Sequence, residues 1–193
     1  MGCETAAWPL RYAGCAETEV SVKSVTRDPK RLAFVALGGN LGDTTATVCA
    51  AMGRLAAFSV TPLHRSSLWR STPVDCPPGS PDFINAVVAF EPMTSLKPES
   101  LLAELQELER EFGRQLKTVL NEARPLDLDI IAWGDEVRST PTLVLPHPRA
   151  HLRHFVLCPL GELAPDLVLP GQTCTVAQLL VALGPATGVK RMG

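Results

Sequence analysis

The chain lacks the features that would point to a nucleic-acid or membrane partner. Lys and Arg number 18 against 20 Asp and Glu over 193 residues, a net charge of −2. Affinity for a phosphate backbone or an anionic bilayer usually needs a basic excess, and there is none. No strand-like stretch carries a stripe of basic and aromatic residues, which disfavours an RNA-binding sheet. No apolar run is long enough to span a bilayer, and no N-terminal stretch joins a basic start to an apolar core. Met1-Gly2-Cys3-Glu4-Thr5-Ala6 has Ala6 where N-myristoylation needs Ser or Thr. None of the 6 cysteines stand two or three residues apart, so neither a zinc knuckle nor a CxxC redox pair is written. Together these absences predict a reduced, cytoplasmic protein with scattered thiols.

What is present is globular. Hydrophobic residues make up 46% and charged residues 20%, close to soluble averages. A chain this long buries roughly 70% of its unfolded surface and needs no disulfide or metal staple. Residues 1–30 show no sustained period and are expected to form a poorly ordered extension, although the stretch 20–25 alternates well enough for a short edge strand. A single domain over 31–193 is expected to follow.

From Leu32 to Leu37 a continuous apolar run predicts a central strand, ending at the turn Gly38-Gly39-Asn40-Leu41-Gly42-Asp43. Asp43 or Thr44 can then cap a helix that shows Val48, Met52 and Leu55 on one face. Residues 63–74 alternate and predict a strand, 75–81 a loop, and 83–90 another strand. Pro98 suits the first turn of a helix whose buried face is Leu101, Leu105, Leu108 and Phe112, ended by Gly113. Residues 126–133 read as a strand, and short helices fit near 150–162 and 175–183. The order β-α-β-β-α-β predicts an α+β fold, a ferredoxin-like sandwich with helices packed on an antiparallel sheet.

Chemistry concentrates in Leu126-Asp127-Leu128-Asp129-Ile130-Ile131. On a strand Asp127 and Asp129 share one face, with Cα atoms about 7 Å apart. Two carboxylates so placed repel unless a cation joins them, and Mg²⁺ accepts such ligands together with water and substrate phosphates. A strand whose polar face merely meets water is the alternative. Asp is nevertheless a poor strand former, which tilts the reading towards metal. The glycine turn fits neither the Rossmann nor the P-loop pattern, so a tight structural turn is the simpler reading. Arg110, Arg114, Lys117, Arg124, Arg149 and Arg153 gather in the second half with His147, His151 and His154. With prolines at 146 and 148 no helical histidine pair for zinc is assured, and oxyanion contacts suit these side chains better.

Six stretches in order resemble the 6-hydroxymethyl-7,8-dihydropterin pyrophosphokinase family: FVALGGNLGD (34–43), SSLWRSTPV (66–74), PDFINAVV (81–88), ELEREFGR (107–114), RPLDLDIIAWGDEV (124–137) and LPHPRAHLRHFVLCPLGELAPDLVLP (145–170). The resemblance implies transfer of pyrophosphate from ATP to the pterin hydroxymethyl group in folate biosynthesis. It implies two Mg²⁺ ions on Asp127 and Asp129, with Arg114 and Arg124 sharing in catalysis. Glu109, Arg114, Arg124, His147 and Arg153 match positions that hold ATP. Ser71, Thr72, Val74, Phe83, Asn85 and Phe155 fall where the family lines its pterin pocket, where aromatic rings suit a flat heterocycle and Asn85 offers donor and acceptor. A monomer acting on small molecules is expected, with no nucleic-acid or membrane partner.

The departures cluster. The family's usual Trp-Gly-Pro-Arg-Thr before its aspartates is Asn121-Glu122-Ala123-Arg124-Pro125 here, a further basic position is Leu116, and the usual glycine-serine is Gly38-Gly39. A loop without its aromatic lid and one cation should close less well, which predicts slower turnover or weaker affinity. The alternative is a non-catalytic pterin- or nucleotide-binding protein that kept the fold.

Overall fold

The computed structural model describes residues 28–115 and 122–193. The stretch 20–25, Leu116, Lys117 and Asn121 lie outside these residues, as does most of the 1–30 segment. In chain order the elements are β1 (Ala33–Gly39), α1 (Thr44–Arg54), β2 (His64–Arg65), β3 (Trp69–Ser71), β4 (Phe83–Phe90), α2 (Pro98–Glu111), β5 (Asp127–Trp133), β6 (Arg138–Ser139), β7 (Val144–Leu145), α3 (His154–Leu163), α4 (Val176–Leu183) and β8 (Val189–Arg191).

The apolar run becomes the central strand, because β1 has a partner on each side. The main sheet runs β5-β1-β4-β3-β8, with β2 also on β4, and neighbouring strands are antiparallel. With β2 and β3 counted as one interrupted strand, this is the ferredoxin-like α+β order. Alternation then divides the core. Val35 and Leu37 of β1, Val88 and Phe90 of β4, and Leu128 and Ile130 of β5 pack with Val48 and Met52 of α1 and Leu101, Leu105 and Leu108 of α2. On the opposite face Phe34, Val87 and Ile131 meet Val156, Leu157 and Leu160 of α3 and Val176 of α4. Helices therefore cover both faces of the sheet.

Three local differences from the sequence reading have physical causes. The strand expected over 63–74 is split into β2 and β3. Ser66 causes the break: its N–H donates to the Val87 carbonyl at 2.9 Å while its hydroxyl oxygen accepts the Val87 N–H at 2.9 Å. A side-chain oxygen thus stands in for a ladder carbonyl. β1 does not stop at Gly38; Gly38 pairs with Asn85 and Gly39 with Ile84. The two-residue strands β6 and β7 and the three-residue β8 went unpredicted, since so few residues carry no readable period.

Candidate active site

Because Leu128 and Ile130 are committed to the α1–α2 core, Asp127 and Asp129 must face the other way, towards the α3 side. There they line a cleft with about 880 Å³ of free space, its open mouth included. Arg124, His147 and Arg153 line the same cleft. So do Ser71, Thr72, Val74, Phe83, Asn85 and Phe155, brought in from the β3 end, β4 and the start of α3. Glu109 and Arg114 do not line it. They back Asp127 from the end of α2.

Asp127 is held on both oxygens. Arg114 Nη1 lies 2.7 Å from Oδ1, and Arg124 Nη2 donates to Oδ2 at 2.8 Å. Arg114 is in turn paired with Glu109, whose Oε1 accepts the Leu128 N–H at 2.7 Å. Burial pushes the Glu109 carboxyl up to about 7, against the pull of that N–H and of Arg114. Burial, and then the Asp127 charge, hold the Asp129 carboxyl above its ordinary range. His147 Nε2 stands 4.0 Å from Asp129 Oδ2, and burial holds this imidazole below its usual value. The His147 Nδ1 accepts the Arg149 N–H at 3.2 Å, so the neutral ring carries its proton on Nε2, towards Asp129.

The glycine turn explains how Arg124 reaches this place. Asn40 and Arg124 exchange two bonds: the Asn40 N–H donates to the Arg124 carbonyl, and the Arg124 N–H to Asn40 Oδ1, each at 2.9 Å. Asn40 Nδ2 also donates to the Pro81 carbonyl at 3.2 Å. This clip needs a bare Cα at Gly39, where a Cβ would lie 2.2 Å from the Pro125 carbonyl oxygen. The turn is therefore a backbone dock for the aspartate strand.

Each aromatic ring of the cleft carries an arginine. The Arg124 guanidinium lies 5.7 Å from the Phe83 ring centre and that of Arg153 5.3 Å from Phe155, both inside cation–π range. Asn85 Nδ2 spends its donors on the Trp69 carbonyl at 3.2 Å and Ser71 Oγ at 2.9 Å. The donor expected of Asn85 is thus used inside the protein, leaving Oδ1 as its acceptor for a ligand.

The family model for 7,8-dihydro-6-hydroxymethylpterin-pyrophosphokinase (HPPK) matches residues 34–165. The chain belongs to this family. It is 42% identical over 139 residues to the 2-amino-4-hydroxy-6-hydroxymethyldihydropteridine pyrophosphokinase of Haemophilus influenzae, covering 72% of this chain and 84% of the relative. It is 38% identical over 160 residues to the Pseudomonas aeruginosa protein of that name, covering 82% and 95%. A Plasmodium falciparum HPPK-DHPS structure aligns with TM-score 0.63 at 11% identity, over 83% of this chain and 47% of that one. That likeness shows the shared fold, and this chain spans less than half of that one.

The pyrophosphokinase motifs named in the sequence thus converge on one cleft, with Glu109 and Arg114 behind it. Sequence reasoning missed Asp75 and Cys76, which line the cleft from a stretch read only as a loop, and did not select Arg149, which it had noted among the cations. Among the described residues no cluster of three or more His, Cys, Asp or Glu could hold a metal. Asp127 and Asp129 could supply two carboxylates, and other ligands would have to come from water or substrate. No helix among the described residues is long and apolar enough to cross a membrane.

Proposed function

We propose that this chain transfers pyrophosphate from ATP to the hydroxymethyl group of 6-hydroxymethyl-7,8-dihydropterin. The pterin hydroxyl loses its proton to solvent as its oxygen bonds to the β-phosphorus, the bond from that phosphorus to the α–β bridging oxygen breaks, and AMP leaves. The observation that carries this reading is one cleft lined by Asp127, held by two arginines, and Asp129 together with two phenylalanines and Asn85. The heterocycle would stack between Phe83 and Phe155, its polar edge reaching Asn85 Oδ1. Arg124 and Arg153, each resting on one of those rings, would turn their donors to the phosphates. His147 would add a neutral donor. Glu109 would act through Arg114 rather than on ATP.

Mg²⁺ fits the donor set, since it takes one or two carboxylates and completes its shell with water and substrate phosphates. Asp127 and Asp129 would hold it, and the raised Asp129 marks a charge that a cation would relieve. Two bound ions would neutralise the triphosphate and activate the attacking hydroxyl. We read the chain as acting as a monomer on these small molecules. The free thiols of Cys76, Cys158 and Cys174 suit a reducing, cytoplasmic setting. We read 31–193 as the catalytic domain, and turnover as slowed by Asn121 and Leu116.

The test is AMP formation from ATP, Mg²⁺ and the dihydropterin. Asp127→Ala removes the partner of two arginines, and turnover should fall at least about 100-fold, the usual scale for a lost electrostatic group. Equal backgrounds for wild type and variant refute catalysis. Tight calorimetric binding without turnover would instead support the non-catalytic binding protein.

A further inference from the structure

The C-terminal segment 184–192, beyond the 34–165 region that the family model matches, runs beside β3, whose end lines the cleft. β8 pairs antiparallel with β3, placing Trp69 opposite Arg191 and Ser71 opposite Val189. Just past β3, the Thr72 N–H donates to the Gly188 carbonyl at 2.9 Å. At its start, His154 Nε2, whose chain neighbours Arg153 and Phe155 line the cleft, lies 3.1 Å from the Gly184 carbonyl. The segment is fastened at its far end, where the Met192 N–H donates to the Leu68 carbonyl at 2.8 Å. Arg191 Nε lies 2.9 Å from Glu162 Oε1, and Arg191 Nη2 donates to Ser67 Oγ at 2.7 Å.

The closest approach is at Gly188. Its φ is +77°, and a Cβ there would fall 2.4 Å from Thr72 Oγ1 and 3.4 Å from Thr72 Cβ. The backbone of one segment thus lies against the side chain of a cleft residue, with no room for a methyl group between them. Pro73 follows Thr72 and has no N–H. At the turn into Val74, the Thr72 N–H is thus the donor through which β8's neighbour is held.

We propose that Gly188 is a positioning residue for the pterin, fixing Thr72 and hence the wall of the cleft that begins there. The proposal rests on assigning that wall to the pterin. Gly188 is not among the residues that line the cleft. It acts because its carbonyl holds the Thr72 N–H and its bare Cα lets Thr72 sit where it does. A displacement of Thr72 carries Val74 with it, whereas Asp127 and Asp129 belong to β5, separated from β3 by β1 and β4, and Arg124 to the turn that leads into β5. The effect should therefore fall on the pterin and spare ATP.

A double-mutant cycle on the full-length chain separates this from simple destabilisation. Pterin affinity is measured by calorimetry with 6-hydroxymethylpterin in the presence of Mg²⁺ and a non-hydrolysable ATP analogue. The variants are Gly188→Ala, Thr72→Ala and both together. Alanine at φ +77° is strained in either background, so that strain cancels in the cycle and the contact with Thr72 remains. Gly188→Ala should weaken pterin binding about tenfold when Thr72 is present and about twofold or less when Thr72 is Ala, with nucleotide affinity changed less than about twofold in both. Equal losses in the two backgrounds, or parallel losses of pterin and nucleotide, overturn the proposal. If Gly188→Ala does not fold, the exposed Arg191→Ala decides: weakened pterin binding with normal nucleotide binding supports the brace, and unchanged pterin binding refutes it. A wild-type chain that binds no pterin refutes the functional reading itself, and one that binds pterin while the variants match it refutes only the role of Gly188.

Discussion

Replacing Glu109 with glutamine removes a carboxyl that burial has pushed up to about 7 and leaves an amide of the same shape. The glutamine Oε1 can still accept the Leu128 N–H, now 2.7 Å from the carboxylate. In the unfolded chain Glu109 loses its proton near 4.5, whereas the folded chain keeps it to about 7. Between those values the native state binds more protons than the unfolded state, so stability falls as pH rises. The contribution of this group is complete below about pH 4.5 and lost above about pH 7. The difference corresponds to about 3 kcal/mol, a large share of a typical domain stability of roughly 5–15 kcal/mol. The side chain is only 9% exposed, so solvent screens little of it. The pairing with Arg114 is already contained in that value. Urea denaturation of wild type and Glu109→Gln in metal-free buffer at several pH values between 4.5 and 8 reads the effect directly. The variant should gain about 3 kcal/mol relative to wild type across that range. Parallel stability curves would show that Glu109 keeps one charge state throughout, and the account of the buried Glu109–Arg114–Asp127 chain would fail.

Gly39→Ala places a Cβ 2.2 Å from the Pro125 carbonyl oxygen, so the Asn40–Arg124 clip must open. Stability should drop by about 1–3 kcal/mol and AMP formation by about 100-fold, and wild-type melting and turnover would refute the docking role of the turn. Phe83→Leu keeps apolar volume but removes the ring under Arg124, 5.7 Å away. Pterin affinity and the KM for ATP should both worsen, the latter by a few-fold for a lost cation–π contact of about 0.5–2 kcal/mol; an unchanged ATP KM would show that the ring serves the pterin alone.

The aspartate strand was legible because its alternation is strict. Leu128 and Ile130 had to enter a core, and that choice alone turned Asp127 and Asp129 to the same side. The helices α1 and α2 were legible from apolar spacing and from Asp43, whose carboxylate accepts the Ala46 N–H at 3.1 Å as an N-cap. The interrupted strand at Ser66 was not, since a hydroxyl replacing a ladder carbonyl leaves no mark in hydrophobic pattern. Nor was the difference between Glu109 and Arg153. Both are charged residues in matching motifs, yet one is buried behind Asp127 and the other lines the cleft. That distinction depends on where α2 ends relative to β5, which is a matter of packing between distant parts of the chain. The role of β8 was hidden for the same reason, because three residues become informative only beside β3.

The near-neutral charge of the whole chain has a counterpart in the cleft. Three arginines (124, 149 and 153) and three aspartates (75, 127 and 129) line it. His147, held below its usual value, adds no charge near neutrality. Asp127 already engages Arg114 and Arg124, so these cations are partly spent before any ligand arrives. A bare triphosphate would therefore meet no basic surface, and its charge would crowd Asp129, whose carboxyl burial and Asp127 already hold above the ordinary range. The proposed magnesium-bound nucleotide removes both conflicts. With the carboxylate charges met by its counter-ions, Arg124, which lines the cleft, would be free to turn from Asp127 to phosphate oxygens, exchanging one charge-assisted bond for another of similar strength, while Arg114 stays with Glu109 behind it. The balance that argues against a polyanionic partner is, on this reading, the condition that makes a metal-neutralised phosphate the ligand the cleft accepts.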